Sequence, residues 1–378
     1  MKKQLILYIA LIFPTLLFSQ ETKFDSLVIK GIDEIYSLEF EQAEFTFEKL
    51  KTDYPKHPAG KFFSAMIIWW KVLLDLNNEQ YDDLFYDKLE EVIDFCDDIL
   101  DENENDPEAL FFKGGAIGFR GRLRSIRKDW FDAAADGKEA LPLVFKAYEI
   151  DSTNIDLKLG FGIYNYYAAA VPEKYPAVKP LMFFFPKGDK KKGIEYLENT
   201  AYNGKYTQIE SRYFLMNLYF NFEQDYSESL KWAKLLHKEF PDNPVFHRFI
   251  GRIYIRLYGY PEASVIFKDI HKKCLRKKTG YNKRVEREAL YYMGLFHFSE
   301  DNTDSSFSYF AKCDSVASKI EEDENGFVVN TALYLGMLND QLNKRDKALF
   351  YYEKVLDYDE FRESHEKAER YLEKPYEK

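Results

Sequence analysis

Cysteine is scarce in this 378-residue chain: Cys96, Cys274 and Cys313 are the only three. An odd and dispersed trio excludes a disulfide framework, and each lies in or beside a helical pattern where a small buried apolar residue is expected. Histidine is no better placed for chemistry. His57, His237, His247, His271, His297 and His365 never stand four residues apart, so no helix-borne metal pair is expected. The chain has no Gly-x-Ser-x-Gly elbow, and strand signals are almost absent. Gly114-Gly115-Ala116-Ile117-Gly118 lacks the preceding strand and the Lys-Ser/Thr of a phosphate loop, and reads as close helix packing. Acid pairs such as Glu90-Glu91 and Asp97-Asp98 read as solvated helix faces. The expectation is a protein without catalysis, cofactor or metal.

Long apolar runs are missing too, with one exception at the start. Lys2 and Lys3 precede an apolar stretch from Leu5 to Phe18, followed by Ser19-Gln20 and a polar continuation. Fourteen residues interrupted by Pro14 fall short of the roughly 20 that span a bilayer. The layout predicts a signal peptide over residues 1–20 and an exported mature chain over 21–378, placed in the periplasm or outside the cell. No cysteine stands near the cut to carry a lipid anchor. Loss of the two lysines, with no acid in residues 1–20, takes the net charge from −11 to −13. That balance favours solubility and argues against nucleic acid as a partner.

What is abundant is aromatic: 33 Phe and 29 Tyr, against 18 Gly and 13 Pro that fall at intervals. A repeat explains the intervals. Gly251 is followed 12 residues later by Ala263 and four further on by Phe267. The spacing recurs as Gly31, Ala43, Phe47; as Gly294, Ser306, Phe310; as Gly336, Ala348, Tyr352; and in degenerate form as Asn217, Ser229, Ala233. Small residues 12 apart suit two helices crossing closely in a hairpin. The aromatic one turn on is expected to fill the gap between neighbouring repeats. Proline then ends the second helix, as in the near-duplicates Tyr54-Pro55-Lys56-His57-Pro58 and Phe240-Pro241-Asp242-Asn243-Pro244. Leu230, Ala233, Leu235, Leu236 and Phe240 make the apolar stripe of one such helix.

With these residues the chain resembles the tetratricopeptide-repeat (TPR) family, in an exported bacterial type, over most of residues 24–360. The resemblance implies an all-α, right-handed superhelical solenoid of TPR-like antiparallel helix pairs with insertions. Some units need lengthening. Residues 59–76 and 81–101 form a long hairpin. Gly114 and Ala140 are taken as the small pair of the next although 26 residues apart, and Gly162 and Gly193 as the pair after that, 31 apart, with Val171 to Lys190 inserted. Residues 361–373 read as a charged capping helix. The segment from Gly162-Ile163-Tyr164-Asn165-Tyr166-Tyr167 through Lys179-Pro180-Leu181 to Pro186-Lys187-Gly188 is similar to a stretch in long TPR proteins of the mitochondrial outer-membrane and inclusion-clearance type. That likeness implies helical repeats and no transferable activity.

The function expected is a scaffold binding a protein or peptide partner on its concave face. Arg248, Arg252 and Arg256 recur at four-residue steps, and the resemblance implies that they face the groove, where guanidiniums clamp carboxylates. A second candidate is the basic run 271–284, with Lys272, Lys273, Arg276, Lys277 and Lys278 as residues that would meet an anionic partner or a membrane surface. A third cluster, Arg120, Arg122, Arg124, Arg127 and Lys128, is expected to answer the acidic run Glu90 to Glu108 within the fold. An alternative function is an envelope protein holding a small or lipidic ligand in a pocket built from Tyr164, Tyr166, Tyr167, Phe183, Phe184 and Phe185.

Overall fold

Helices that bury one stripe each must pair, and here they pair with their neighbours in sequence. The computed structural model describes residues 23–183, 185–320 and 325–377. The expected signal peptide and Phe184 lie outside the described residues. Every regular element among those described is helical: α1 (residues 23–36), α2 (Phe40–Asp53), α3 (Ala59–Leu74), α4 (Asp82–Glu102), α5 (Pro107–Ile126), α6 (Trp130–Ile150), α7 (Lys158–Lys174), a short α8 (Lys179–Met182), α9 (Lys190–Asn203), α10 (Gln208–Leu218) and α11 (Tyr226–Glu239). Then come α12 (Pro244–Leu257), α13 (Tyr260–Leu275), α14 (Lys283–Ser299), α15 (Thr303–Ala317), α16 (Gly326–Gln341), α17 (Arg345–Leu356) and α18 (Ser364–Glu373). The chain divides after Phe240 into two compact units. The first holds the hairpins α1/α2, α3/α4, α5/α6, α7/α9 and α10/α11. The second holds α12/α13, α14/α15 and α16/α17 with α18 as a cap.

Local signals set the helix starts. Asp106, Asn243, Asn282 and Asn325 each accept a hydrogen bond from a backbone amide of the first turn, and Pro107 and Pro244 stand where a missing N–H costs nothing. The small residues behave as crossing points. Ala43, Ser229, Ala263, Ser306 and Ala348 are buried, and the Ser306 hydroxyl donates to the Gly294 carbonyl at 3.0 Å.

The aromatic at the next turn does more than the spacing suggested. Its ring lies directly over the glycine of its own hairpin: a Cβ added at Gly251 would stand 2.7 Å from the Phe267 ring, and one at Gly294 2.9 Å from Phe310. The same ring then stacks on an aromatic of the following hairpin, Phe47 on Phe63, Phe267 on Tyr292 and Phe310 on Tyr334, with centroids 5.5, 4.4 and 5.0 Å apart. Glycine thus makes room for a ring that joins consecutive repeats. Ala263→Leu is expected to overpack this crossing and cost about 1–3 kcal/mol. An unchanged midpoint in denaturant would mean that the crossing lies elsewhere.

The lengthened hairpin α5/α6 keeps the expected pairing of Gly114 with Ala140 and adds another close contact nearer its turn. The residues 12 apart at its turn are Gly121 and Ala133: a Cβ at Gly121 would meet the Ala133 carbonyl at 3.2 Å. Gly114 and Ala140 meet as well, a Cβ at Gly114 falling 3.3 Å from the Ala140 carbonyl. They form a second close contact two turns further from the turn, so the extra residues lengthen both helices rather than a loop. Gly162 and Gly193 do face each other, with Gly193 against the Gly162 carbonyl and the Tyr166 backbone. Between their helices the insert forms the 3-10 turn Pro176–Val178 and α8. At the far end, Arg345 donates to the Tyr371 and Leu372 carbonyls, the exposed acceptors at the end of α18, and also binds Asp340. No described helix is long and apolar enough to cross a membrane.

Candidate partner-binding surfaces

In the N-terminal unit the first helices of different hairpins meet around one buried polar centre. Glu210 on α10 accepts from the Tyr36 hydroxyl at 2.7 Å and from Arg122 Nη1 at 3.0 Å. The Arg122 guanidinium lies over the rings of Trp69 and Phe214, 4.8 and 4.7 Å from their centroids. Tyr36 packs edge-on against Trp70. Burial, and then the Glu210 carboxylate beside it, push the Tyr36 phenol well above its ordinary pKa, so it stays a donor. On this first-helix side of the N-terminal unit the unit's own side chains partner one another. Nothing in the sequence spacing marks Tyr36 and Glu210, 174 residues apart, as partners.

The arginine cluster of α5 is matched inside the fold, as expected, but mostly by other acids. Arg120 reaches Glu90, the one member of the expected acidic run to which this cluster bonds, and also Asp136, where Arg124 joins it. Arg127 holds Asp82 through two nitrogens, and Arg122 is committed to Glu210. Two members of the run find other partners: Lys113 binds Asp97 and His57 binds Glu108.

In the C-terminal unit, α12 carries Arg248, Arg252 and Arg256, with Arg248 and Arg252 converging on Glu288 of α14. Arg248 Nε lies 2.8 Å from Glu288 Oε2, and Arg252 Nε lies 2.6 Å from Oε1. The carboxylate is fully buried, whereas the two arginine side chains are 21% and 29% exposed. Burial alone would raise the Glu288 pKa, but the paired guanidiniums outweigh it and hold the group at about 2. Since α12 and α14 are first helices of successive hairpins, this triad lies on the first-helix side of the stack. Arg256, one turn further, is exposed, and its charge is felt by the phenols of Tyr260 and Tyr292. Sequence reading did not single out Glu288. The repeat register carries a signal for it, since it stands six residues before Gly294, at the start of the next first helix.

The basic run 271–284 spans the end of α13 and the turn into α14. Lys273 and Lys278 both bind Asp242, at 3.0 and 3.2 Å, and Lys273 also donates to the Pro241 carbonyl. Lys272, Arg276 and Lys277 are exposed around Leu275, itself 65% exposed. The structure therefore splits the five candidates into a buttressed pair and an outward trio, while Lys283 binds Glu286 and Arg284 donates to the Ile320 carbonyl.

The aromatics expected to line a pocket are divided between core and surface. Tyr166 is buried and donates to Glu223 at 2.6 Å, and Tyr167 packs on Phe214 and Phe222. Tyr164 donates to the Pro186 carbonyl, Phe185 covers Gly137, and Phe183 is 86% exposed. An open depression of about 670 Å³ lies instead along α1, lined by Asp25, Ile29, Lys30, Asp33 and Glu34 among others. The thiols lie inside the packing. Burial pushes Cys96 and Cys274 up to about 12 and Cys313 to about 11. Among the described residues no group of three or more His, Cys, Asp or Glu could hold a metal ion.

No family model matches the chain, and no curated protein matches it. Among solved structures it is similar to the human IFIT1 dimer with m7Gppp-AAAA, at 11% identity over 93% of this chain and 85% of that one, with a TM-score of 0.43. It is also similar to the C-terminal part of a TPR protein from Cytophaga hutchinsonii (13% identity, 80% and 98% covered, TM-score 0.38) and to yeast Tom70 (10%, 90% and 86%, TM-score 0.38). The class rests on the chain's own geometry: it is an all-α helical-repeat protein built of TPR-like hairpins.

Proposed function

We propose that the chain is an exported, non-catalytic repeat scaffold that binds an anionic segment of a protein or peptide on the first-helix side of its C-terminal unit. One observation carries the reading: two guanidiniums share the buried carboxylate of Glu288, and the exposed Arg256 stands one turn further along α12. The buried Glu288 fixes both guanidiniums in place before any partner arrives. The outward trio Lys272, Arg276 and Lys277 supplies a second basic surface in the same unit. The net charge of −11 supports a protein partner over nucleic acid. The apolar start of the sequence supports export.

The test is affinity capture from an envelope fraction with identification by mass spectrometry, repeated after nuclease treatment. Arg256→Glu leaves the Glu288 triad intact, so it is expected to weaken capture of the same partner by at least about tenfold, the worth of roughly 1.4 kcal/mol. Thermal stability should hardly change. Capture that survives Arg256→Glu and a Lys272/Arg276/Lys277→Glu triple variant would overturn the assignment. N-terminal sequencing of the same material is expected to begin near Glu21; a retained Met1 on a cytoplasmic protein would overturn export.

A further inference from the structure

The insert between α7 and α9 is a built protrusion. Its base is fixed at several points: the Tyr164 hydroxyl donates to the Pro186 carbonyl, Lys174 donates to the Asn221 carbonyl and lies over the Phe222 ring, and Lys190 binds Glu173. Gly188 is wedged against the Asn165 carbonyl and the Ala169 amide with no room for a Cβ, and Phe185 packs over Gly137 of α6. Its outer part carries exposed aromatic rings. Phe183 is 86% exposed and Tyr175 51%. Within residues 171–192 stand six lysines and only two acids, in a chain of net charge −11. Lys190 is paired, but Lys179, Lys187 and Lys191 point to solvent. Phe183 continues the helical backbone of α8, so Lys179, four residues earlier, shares its face.

We propose that this protrusion docks the protein on an anionic lipid bilayer, with the Phe183 ring entering the boundary between headgroups and acyl chains and the lysines resting on lipid phosphates. An exposed aromatic beside lysines whose stems reach outward is the arrangement that partitions into such an interface. A folded protein partner fits the tip less well. A stable protein interface covers about 800 Å² on each side, whereas the described side chains here are two exposed aromatics, Phe183 and Tyr175, among lysines. A bilayer needs only the ring and the charges. This surface lies in the N-terminal unit and is independent of the Arg256 surface.

Sedimentation with sucrose-loaded vesicles tests it, using the chain from Glu21, which retains every described residue and lacks the apolar start. Binding is expected to vesicles holding about a third phosphatidylglycerol, to weaken steeply with added salt, and to vanish on pure phosphatidylcholine. Phe183→Ser should lower the partition coefficient about tenfold, and Lys179/Lys187/Lys191→Glu by about a hundredfold or more. A Phe183→Trp variant should shift its emission to the blue on the anionic vesicles, because the indole leaves water. Absence of binding by the unaltered chain would overturn the proposal. So would binding that neither variant reduces, or binding without a spectral shift. Retention of the tip on an acidic protein, with no affinity for vesicles, would reassign the surface to a protein partner.

Discussion

Replacing Glu288 with alanine is expected to destabilise the C-terminal unit by about 3 kcal/mol, at the lower end for a broken buried ion pair because Arg248 and Arg252 keep some access to water. The midpoint of that unit's thermal transition should fall by roughly 10 °C. The pH dependence follows the same residue. Its folded pKa of about 2 lies below the ordinary 4.5, so the contribution is complete above the ordinary value and is lost as pH falls from there toward 2. In the alanine variant that part of the acid transition should disappear. Substituting the whole triad with apolar residues of similar size should restore most of the stability, since no buried charge is then left without its partners. A Glu288→Ala protein as stable as the unaltered chain at neutral pH would show that the triad contributes nothing.

Arg122→Ala is expected to be comparably severe in the N-terminal unit, at about 3 kcal/mol. It removes the group packed over Trp69 and Phe214 and leaves the Glu210 carboxylate, 8% exposed, without its guanidinium. The loss should be local before it is global. Glu210 also accepts from Tyr36 on α1, so hydrogen exchange across residues 23–36 should quicken first, as the terminal helix loosens from α10. Arg122→Lys keeps the charge but not the flat stacking surface, and is expected to recover less than half of the loss. Unchanged exchange in residues 23–36 would mean that α1 is held by its apolar contacts alone, chiefly Val28, Ile32 and Ile35.

The hairpins were legible because their signals are local. A glycine, a small residue 12 positions on and an aromatic four beyond that lie within one helical pair, and helix geometry converts that spacing into a contact without help from the rest of the chain. Gly162 and Gly193, read as a pair across an insert, do face each other. In α5/α6 the same reasoning found the contact of Gly114 with Ala140 but not that of Gly121 with Ala133 nearer the turn. When both helices gain two turns, sequence distance alone does not say which close contact lies nearer the turn.

What the spacing could not reach is the choice of partners for charge. A stripe of arginines on α12 looks the same in sequence whether it faces solvent or a carboxylate on the next hairpin, and Glu288 lies 36 and 40 residues from the arginines it holds. Likewise only the stacking of the N-terminal hairpins brings Tyr36, Arg122 and Glu210 together, filling a face that the repeat pattern leaves open. The sequence by itself determined the helices, their pairing and the surplus of acid. The tertiary structure decided which charges are neutralised and which side chains stay outside, because Coulomb energy and burial depend on distances that the stacking of hairpins sets.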